Sequence, residues 1–448
     1  MKPTVFRNTL FSIVAAVAIV NGAPTAITGI AAEEAASINP VLEWNQIFVD
    51  TLIATNTANS SSQRLGAIMH TAIFDAYNGV ERRYTSIFMA PGAAAGASRS
   101  AAVIAAAYTA LVALFPSQQG ALDSRYGASL ATLSERCVSN GRAIGRRRVR
   151  CALRTRGVTW GTEVAHAVLA WRAADGFGAS YPAFTGGTAI GQWRPTPPAF
   201  GPMSAQGLAF TQTFVLVNNL EFQPEPPRAL SSTIYADDVN AVKALGRRTD
   251  STRTEDQTAL ASFWEGNASV HWNQAANQLA RANHLSMSDS NRLLAVLNVA
   301  MADTAFTVWG AKRFYGATTT EVTWRPVTAI PLAEADGNPD TTPDADWLPL
   351  VNTPSHPEYP AGHPSLNGVA ATVLLSYFDD RQNFILTTMG QPSRTYTSIS
   401  QARADGNSAR VWGGMHYPST VAISDKVGET IARHVNRHSM QRQLVKRD

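Results

Sequence analysis

Apolar residues recur at helical spacing through most of the chain. Between residues 62 and 80, one face of a helix would carry Leu65, Ile68, Met69 and Ala72. No long stretch shows the strict alternation of a half-buried strand, and no internal repeat of fixed period is present. The pattern predicts helices at 62–80, 98–115, 119–135, 159–174, 232–246, 254–266, 270–284, 288–314, 363–378, 398–410 and 419–440. We therefore expect an all-α fold built as packed helical bundles.

A proline-rich segment interrupts this pattern just before one of the predicted helices. Three prolines keep residues 353–361 extended, because proline fixes φ and disfavours helix in the residue before it. The apolar run Val369–Phe378 indicates a helix, so Gly362 and His363 lie where the loop becomes helical. Unpaired N–H groups at a helix start favour an anion, and glycine allows its close approach. His363 adds a group that exchanges protons near neutral pH.

Two flanking segments supply further groups suited to holding an oxyanion. Upstream lie Lys312 and Trp324-Arg325-Pro326, and downstream Arg410 is followed six residues later by His416. Arginine offers a planar fork for two oxygens, and lysine offers a compact point charge. A near copy, Trp193-Arg194-Pro195, has no lysine closely before it, and we expect it to lie outside the site.

This ordered set resembles the signature of the vanadium-dependent haloperoxidases, which share a site with the type-2 phosphatidic acid phosphatase superfamily. The family pattern is a Lys, then Arg-Pro, then Pro-Ser-Gly-His, then Arg with His six residues on. Here the corresponding residues lie between 312 and 416, with Pro360-Ala361-Gly362-His363 at the centre. A weaker likeness, including Trp-Arg-Ala-Ala-Asp-Gly at 171–176, extends over most of the chain. The resemblance implies a large helical-bundle domain of the haloperoxidase and acid phosphatase type.

The resemblance also implies a cofactor, vanadate, and a role for each matching residue. The cofactor-binding residues would be Lys312, Arg325, Gly362, His363, Arg410 and His416. His416 would bind the vanadium itself, His363 would act as acid–base group towards hydrogen peroxide, and Lys312 would polarise the peroxide. Halide would then be oxidised to a hypohalous-acid-type species that halogenates a small organic acceptor. Which halide and which acceptor are used stays open.

Three departures from the family pattern bear on this expectation. Ala361 stands where the family usually has Ser, so one hydroxyl bond to the oxyanion is missing. Lys312 lies thirteen residues before Arg325 instead of seven, which suggests an inserted loop at 316–322 and makes Arg313 the fallback. Thr420 stands where the superfamily often has an Asp that orients the histidine, which weakens a nucleophilic role for His416.

Two other functions therefore stay open beside the haloperoxidase. One is a secreted acid phosphatase of the same superfamily, with His416 as nucleophile, His363 as proton donor and no metal. The other is a non-catalytic oxyanion-binding relative, motivated by Ala361 and the displaced Lys312. Glu358-Tyr359-Pro360 before the Gly-His pair, and Trp324 before Arg325, favour the haloperoxidase.

The residue pattern of the first 32 of the 448 residues predicts an export signal. Lys2 and Arg7 form a basic start, Leu10–Val20 is apolar, and Ile30-Ala31-Ala32 offers small residues for cleavage. We therefore expect a secreted or periplasmic protein in which 33–448 forms a single domain, without stable membrane insertion after cleavage. Cleavage lowers the formal net charge from +4 to +2, which gives no argument for nucleic acid binding. The oligomeric state stays open, although relatives of this type often pair through helices, so a homodimer is the expectation.

A segment rich in arginine separates two of the predicted helices. Eight arginines lie between Arg136 and Arg156, and we interpret this run as a solvated loop inserted into the family pattern. The two cysteines of the chain, Cys137 and Cys151, bound it and lack metal-ligand spacing. In an oxidising compartment they would pair.

Overall fold

This computed structural model describes residues 39–134 and 146–443, except for the side chains of residues 134 and 146–150. Through this part of the chain, the segments with helical periodicity form α-helices. These helices are α1 (Pro40–Ala54), α2 (Asn59–Glu81), α3 (Arg99–Leu114), α4 (Gln119–Ser134), α5 (Arg146–Ala173), α6 (Thr233–Leu245), α7 (Glu255–Phe263), α8 (Ala268–Ala282), α9 (Met287–Thr318), α10 (Pro326–Ala329), α11 (Gly362–Leu375), α12 (Ile399–Trp412) and α13 (Pro418–His438). Short 3-10 turns occur at Pro116–Gln118, Gln206–Phe210 and Ala333–Ala335. The predicted all-α class is confirmed.

A small hairpin is the one β-sheet in the described part of the chain, and the periodicity did not predict it. Strand β1 (Phe384–Leu386) pairs antiparallel with β2 (Arg394–Tyr396). The strands are too short for an alternating pattern to stand out, and the pairing is supported by the stacked rings of Phe384 and Tyr396, 5.7 Å apart. Helix α1 was also missed, although Asn39 caps it and ten of its residues are buried.

The arginine-rich segment is more helical than expected. Helix α5 begins at Arg146, whereas the sequence placed a loop there and a helix only from residue 159. Arginine is a good helix former, and a one-sided apolar contact is enough to hold such a helix. That contact is present, because Gly157 packs against the backbone of Ser98 at the start of α3. Cys137 lies outside the described residues, so its pairing with Cys151 stays a prediction.

Helix α9 forms the centre of the molecule. It is 32 residues long, and its most apolar stretch could cross a membrane by length and composition, but that whole stretch is buried inside the protein. The core helix of a globular fold passes the same test. Helix α3 has the length and composition of a membrane span only if it is joined with Pro116–Leu133, and the combined span would be bent by 116°.

Helices α11 and α13 approach each other at two glycines, and this contact fixes the geometry of the site. A Cβ atom at Gly368 would overlap the carbonyl of Asp425, and one at Gly428 would overlap the carbonyl of Ser365. The start of α11 therefore lies against the first turns of α13. Residues from Asn39 onward cluster into one compact unit. The predicted leader, 1–32, lies outside the described residues and stays a prediction, which N-terminal sequencing of exported protein would test.

Candidate oxyanion site

Lys312 lies in the interior because α9 is buried on every side from Leu293 to Lys312. It lies one helical turn after Trp309, and its side chain is completely buried. Its Nζ donates to the carbonyl oxygens of Pro357, at 2.5 Å, and Glu358, at 3.0 Å. Burial, followed by the positive charge of Arg325, lowers the pKa of Lys312 well below its ordinary value. The helix thus connects the extended segment 353–361 to the oxyanion cluster, which is the group formed by Lys312, Arg325, Glu358, His363, Arg410 and His416.

The longer spacing between Lys312 and Arg325 does not displace Lys312 from this cluster. The expected inserted loop at Gly316–Val322 is partly wrong, because α9 continues to Thr318 and only the residues after it leave the helix. Arg313, the fallback, lies with its guanidinium 4.3 Å from the ring of Phe184. It makes no contact that joins it to the cluster in the described structure.

Arg325 lies at the start of α10 and connects two segments of the site. Its guanidinium donates to the carbonyls of His356, at 3.0 Å, and Met415, at 2.7 Å. It also contacts two ring nitrogens, Nδ1 of His356 at 2.9 Å and Nε2 of His416 at 3.0 Å. Because a guanidinium only donates, both nitrogens must accept. The lone pair on Nε2 of His416 therefore faces the cationic cluster.

Glu358 fixes the other side of the His416 ring. Its Oε1 accepts from Nδ1 of His416 at 2.8 Å and from the backbone N–H of Tyr417 at 3.2 Å. Its Oε2 accepts from the hydroxyl of Thr420 at 3.0 Å. The orienting carboxylate that position 420 lacks thus comes from another segment, and Thr420 donates a hydrogen bond to it. Burial raises the pKa of Glu358 to about 7, and the charge of Arg325 opposes this rise.

The start of α11 presents backbone donors next to His363. Ala361 precedes the helix without a side-chain cap, and its own N–H donates to Ser424 Oγ at 2.7 Å. The N–H groups of Gly362 and His363 have no acceptor among the described residues. His363 Nε2 donates to the carbonyl of Gly266 at 3.1 Å, which leaves Nδ1 with the lone pair. Burial and the charge of Arg410 lower the pKa of His363 well below its ordinary value.

Arg410 is held from the opposite side by the loop between α7 and α8. Its Nη1 donates to the carbonyl of Trp264 at 3.2 Å, and its Nη2 lies 3.1 Å from the sulfur of Met415. Its Nε is buried and has no hydrogen-bond partner in the described structure. Buried polar atoms are normally bonded, so an unpartnered guanidinium N–H indicates room for an acceptor.

The cluster carries more positive than negative charge. Lys312, Arg325 and Arg410 are almost fully buried. Glu358 is the buried carboxylate that faces Lys312 and Arg325, and the exposed Glu265 acts on Arg410. Burial lowers the pKa of both arginines, to about 10 each, so both stay charged at neutral pH. Burial and these cations also lower the pKa of His416, which keeps its ring neutral. Buried cations without enough counter-charge favour an anionic guest.

Buried aromatic neighbours explain why these side chains meet. Trp324 precedes Arg325 and Tyr417 follows His416, and both belong to one apolar cluster with Tyr235. Tyr359, which follows Glu358, packs in a second cluster against Tyr315 of α9. Each polar residue is thus joined in the chain to a core side chain, so core packing sets the position of the polar group.

The structure brings together every residue that the sequence proposed for the site. These are Lys312, Arg325, Gly362, His363, Arg410 and His416. Arg194, in the near-copy segment, instead donates to the carbonyls of Thr188 and Ala189. Sequence reasoning missed His356 and the role of Glu358. The sequence did contain a signal for them, because two titratable residues stand two positions apart in an extended segment. It could not show which residues they face, because those residues come from distant segments.

The donor set fits vanadate and does not fit a bare cation. No group of three His, Cys, Asp or Glu within the described ranges could hold a metal ion. Two guanidinium groups, one lysine and free N–H groups at a helix start instead suit an oxyanion. The neutral Nε2 of His416 adds a nitrogen ligand, and a carboxylate behind it is the usual support of a metal-bound histidine.

Comparisons with known proteins show what this chain and its fold are similar to. Residues 292–444 match the family model described as the VCPO second helical-bundle domain. The fold resembles that of the first bacterial vanadium-dependent iodoperoxidase, with 22% identity and a TM-score of 0.74 over 91% of this chain and 98% of that one.

Two structures of bacterial vanadium-dependent chloroperoxidase, one holo-type and one apo-type, are also similar. Each shows 17% identity over 85% of this chain, with TM-scores of 0.60 and 0.63 over 92% and 95% of those chains. No curated protein matches the chain significantly. The resemblance stated from the sequence is confirmed by the family match and by the fold.

Proposed function

We propose that this chain, which has the fold of the vanadium haloperoxidases and a matching second helical-bundle domain, is a vanadate-dependent haloperoxidase. The observation that carries the proposal is the Arg325–His416–Glu358 arrangement. It holds a neutral imidazole whose Nδ1–H is fixed by Glu358 and whose Nε2 lone pair faces buried cations and accepts from Arg325, which would release it to a ligand. Hydrogen peroxide and halide would be the substrates, and a small organic molecule would accept the halogen.

In this proposal the cationic residues hold the oxygens of vanadate. Arg410 would offer its unpartnered Nε–H and Gly362 a backbone N–H. Arg325 would offer the N–H groups that it frees by releasing His416, and Lys312 its amino group beside them. His416 binds vanadium through Nε2, because Nδ1–H is committed to Glu358. When bound, vanadate supplies a Lewis-acidic centre that activates peroxide towards attack by halide.

His363 has a separate task in this scheme. Its Nε2–H is held by the carbonyl of Gly266, so Nδ1 is the nitrogen that can take a proton from hydrogen peroxide. Its side chain is partly exposed, unlike Lys312 and Arg325, so the proton can pass to solvent. Lys312 would polarise peroxide by donating a hydrogen bond from its amino group, which here donates to the carbonyls of Pro357 and Glu358.

A phosphatase remains the second candidate because Glu358 removes one objection to it. A histidine nucleophile needs an orienting carboxylate, and Glu358 supplies it in place of the residue at 420. His416 Nε2 would then attack phosphorus, and His363 would protonate the leaving group. A non-catalytic oxyanion-binding relative is the third reading.

One set of assays separates these functions. The purified protein is incubated with orthovanadate, hydrogen peroxide and iodide, bromide or chloride, and triiodide formation or dye bromination is followed. We expect oxidation that requires vanadate, is lost in His416→Ala and is retained in Arg194→Ala, the matched control. Hydrolysis of an aryl phosphate by vanadate-free protein, without halide oxidation, would instead identify a phosphatase. Vanadate binding with neither activity would indicate the non-catalytic relative.

A further inference from the structure

A large pocket opens beside the oxyanion site. It has a volume of about 680 Å³, within the usual range for small-molecule sites. Its walls come from the end of α1 and the start of α2, the α7–α8 loop, the first turn of α8, and the turn between β1 and β2. None of its lining residues belongs to the cluster that would hold vanadate.

The α7–α8 loop connects this pocket with the oxyanion site. Glu265 and Gly266 line the pocket. In the same loop, the carbonyl of Trp264 accepts from Arg410, and that of Gly266 accepts from His363. A molecule in the pocket would therefore contact the loop whose carbonyl groups hold Arg410 and His363.

His363 marks the side on which the oxyanion site meets solvent. Lys312 and Arg325 are completely buried and Arg410 is 2% exposed, whereas His363 keeps partial exposure. Gly266, whose carbonyl contacts this partly exposed histidine, also forms part of the pocket wall. A small oxidised halogen species leaving along His363 would emerge next to the pocket.

The residues that line the pocket favour some organic molecules over others as halogen acceptors. Apolar surface from Leu52, Ile53 and Val270 suits an aromatic ring, and neighbouring amides and hydroxyls suit a phenol hydroxyl. Glu265 is the charged residue among those lining the pocket, and no Lys, Arg or His lines it. Glu265 also acts on the charge of Arg410 behind the α7–α8 loop, but inside the pocket a negatively charged acceptor would meet only this carboxylate among the charged lining residues, whereas a cationic acceptor would be attracted.

We infer that this pocket binds the organic halogen acceptor, and that it prefers electron-rich phenols that are neutral or cationic over carboxylate-bearing ones. The inference rests on the proposed function, which supplies hypohalous acid from halide, hydrogen peroxide and a proton, with water released. In the transfer, a ring carbon–hydrogen bond breaks and a carbon–halogen bond forms. The ring proton leaves, the hydroxide of hypohalous acid departs with it as water, and the ring carbon loses two electrons.

Two phenols of opposite charge test the inference. A mixture of (4-hydroxyphenethyl)trimethylammonium and 3-(4-hydroxyphenyl)propanoate is iodinated by the vanadate-loaded protein or by added hypoiodous acid, and the product ratios are compared. We expect the protein to favour the cationic phenol by about threefold more than the free reagent does, the size expected for one exposed charge. Equal ratios would show that the halogen reacts in bulk solution, which would overturn the inference and leave the proposed function standing.

Two variants localise the effect. Ala58→Trp fills the pocket from an exposed lining position, and Glu265→Gln removes its charge. Both should move the product ratio towards that of the free reagent, whereas Ala335→Trp, at an exposed position outside the pocket, should keep the wild-type ratio. An unchanged ratio in both pocket variants would contradict the inference.

Two measurements separate failure of the pocket from failure of the proposed function. Triiodide formation without any phenol reports halide oxidation alone. Equilibrium dialysis of the cationic phenol, without peroxide or halide, reports the pocket alone. We expect wild type to bind the phenol more tightly than Ala58→Trp does, and equal binding would overturn the inference even if no oxidation were seen.

Discussion

At the scale of single residues, the ring of His416 is fixed from both sides by groups that are themselves buried. Arg325 faces Nε2, Glu358 faces Nδ1, and Thr420 holds the second carboxylate oxygen. The tautomer follows from this arrangement, because a guanidinium donates and a carboxylate accepts. Because Nε2 accepts from Arg325, the guanidinium must release this lone pair before a ligand binds there, whereas Glu358 keeps the orientation and the Nδ1–H tautomer of the ring.

Replacing Glu358 by Gln tests the importance of this support. Glutamine keeps the size and one acceptor oxygen but loses the charge that stabilises the Nδ1–H tautomer. We expect vanadate affinity to fall by about 10- to 100-fold, as is typical when the residue behind a metal-bound histidine is changed. Isothermal titration with orthovanadate measures the change, with Glu225→Gln, a mostly exposed glutamate, as control. Unchanged affinity in Glu358→Gln would mean that Arg325 alone orients the ring.

The two site histidines should separate in their effects. His416→Ala removes the proposed bond to vanadium, so binding at micromolar vanadate should be lost. His363→Ala removes a proton acceptor that contacts Gly266, so vanadate should still bind while most halide oxidation disappears. Titration combined with steady-state rates distinguishes the two, and equal vanadate binding by both variants would show that these roles are wrong.

At the scale of elements, apolar spacing predicted α9 itself, although residues 293–312 turn out to be buried on every side of the helix rather than on one face. Lys312 lies one turn beyond Trp309 on a buried helix, so its direction is set by local geometry. Proline punctuation likewise located the start of α11. The direction of Glu358 could not be predicted in this way, because an extended segment presents side chains to both faces and tertiary packing decides which one is functional. The loop at 264–266 contributes only backbone carbonyls to the site, and these carry no sequence signal.

The crossing of α11 and α13 is the contact between elements on which the site most depends. Gly428→Ala would place a methyl group against the carbonyl of Ser365 and push the helices apart. We expect the free energy of unfolding to fall by about 1 to 3 kcal/mol, measured by urea denaturation. Vanadate affinity should fall as well, since Gly362 lies on one helix and His416 precedes the other.

Gly127→Ala is the matched control for this crossing. No atom lies near enough to meet a Cβ at this exposed helical position. Alanine should therefore raise the free energy of unfolding by about 0.5 to 1 kcal/mol through helix propensity. If Gly428→Ala behaved like this control, the close approach of α11 and α13 would not be a determinant of stability.

At the scale of the whole molecule, buried titratable groups make stability depend on pH. His70 is 1% exposed, and burial lowers its pKa from the ordinary 6.5 to about 3. Between these values the unfolded chain binds a proton that the folded chain does not, so stability is lost as pH falls from about 6.5 towards 3. Buried Asp75 and Asp303, whose pKa is raised to about 6, act in the opposite sense, since their stabilising effect is lost as pH rises.

Comparison with His70→Gln isolates the histidine contribution. Glutamine does not titrate and can still donate to Asn45, as the His70 ring can. Between pH 7 and pH 5, wild type should lose about 1 to 2 kcal/mol more unfolding free energy than the variant. Urea denaturation at several pH values measures this difference, and His284→Gln, at an exposed position, tests whether any histidine replacement has the same effect. Parallel curves for wild type and His70→Gln would contradict the prediction.

The lone pair that His416 presents has a consequence for competition between oxyanions. Phosphate and vanadate are both tetrahedral anions, so the lysine, the arginines and the helix start cannot by themselves tell them apart. Vanadium readily accepts a fifth ligand, whereas phosphorus in resting phosphate does not. The nitrogen held between Arg325 and Glu358 therefore gives one guest a bond that the other cannot form. In a displacement titration, phosphate should compete poorly with vanadate in the wild-type protein and far more evenly in His416→Ala, because the only group that recognises the central atom has been removed.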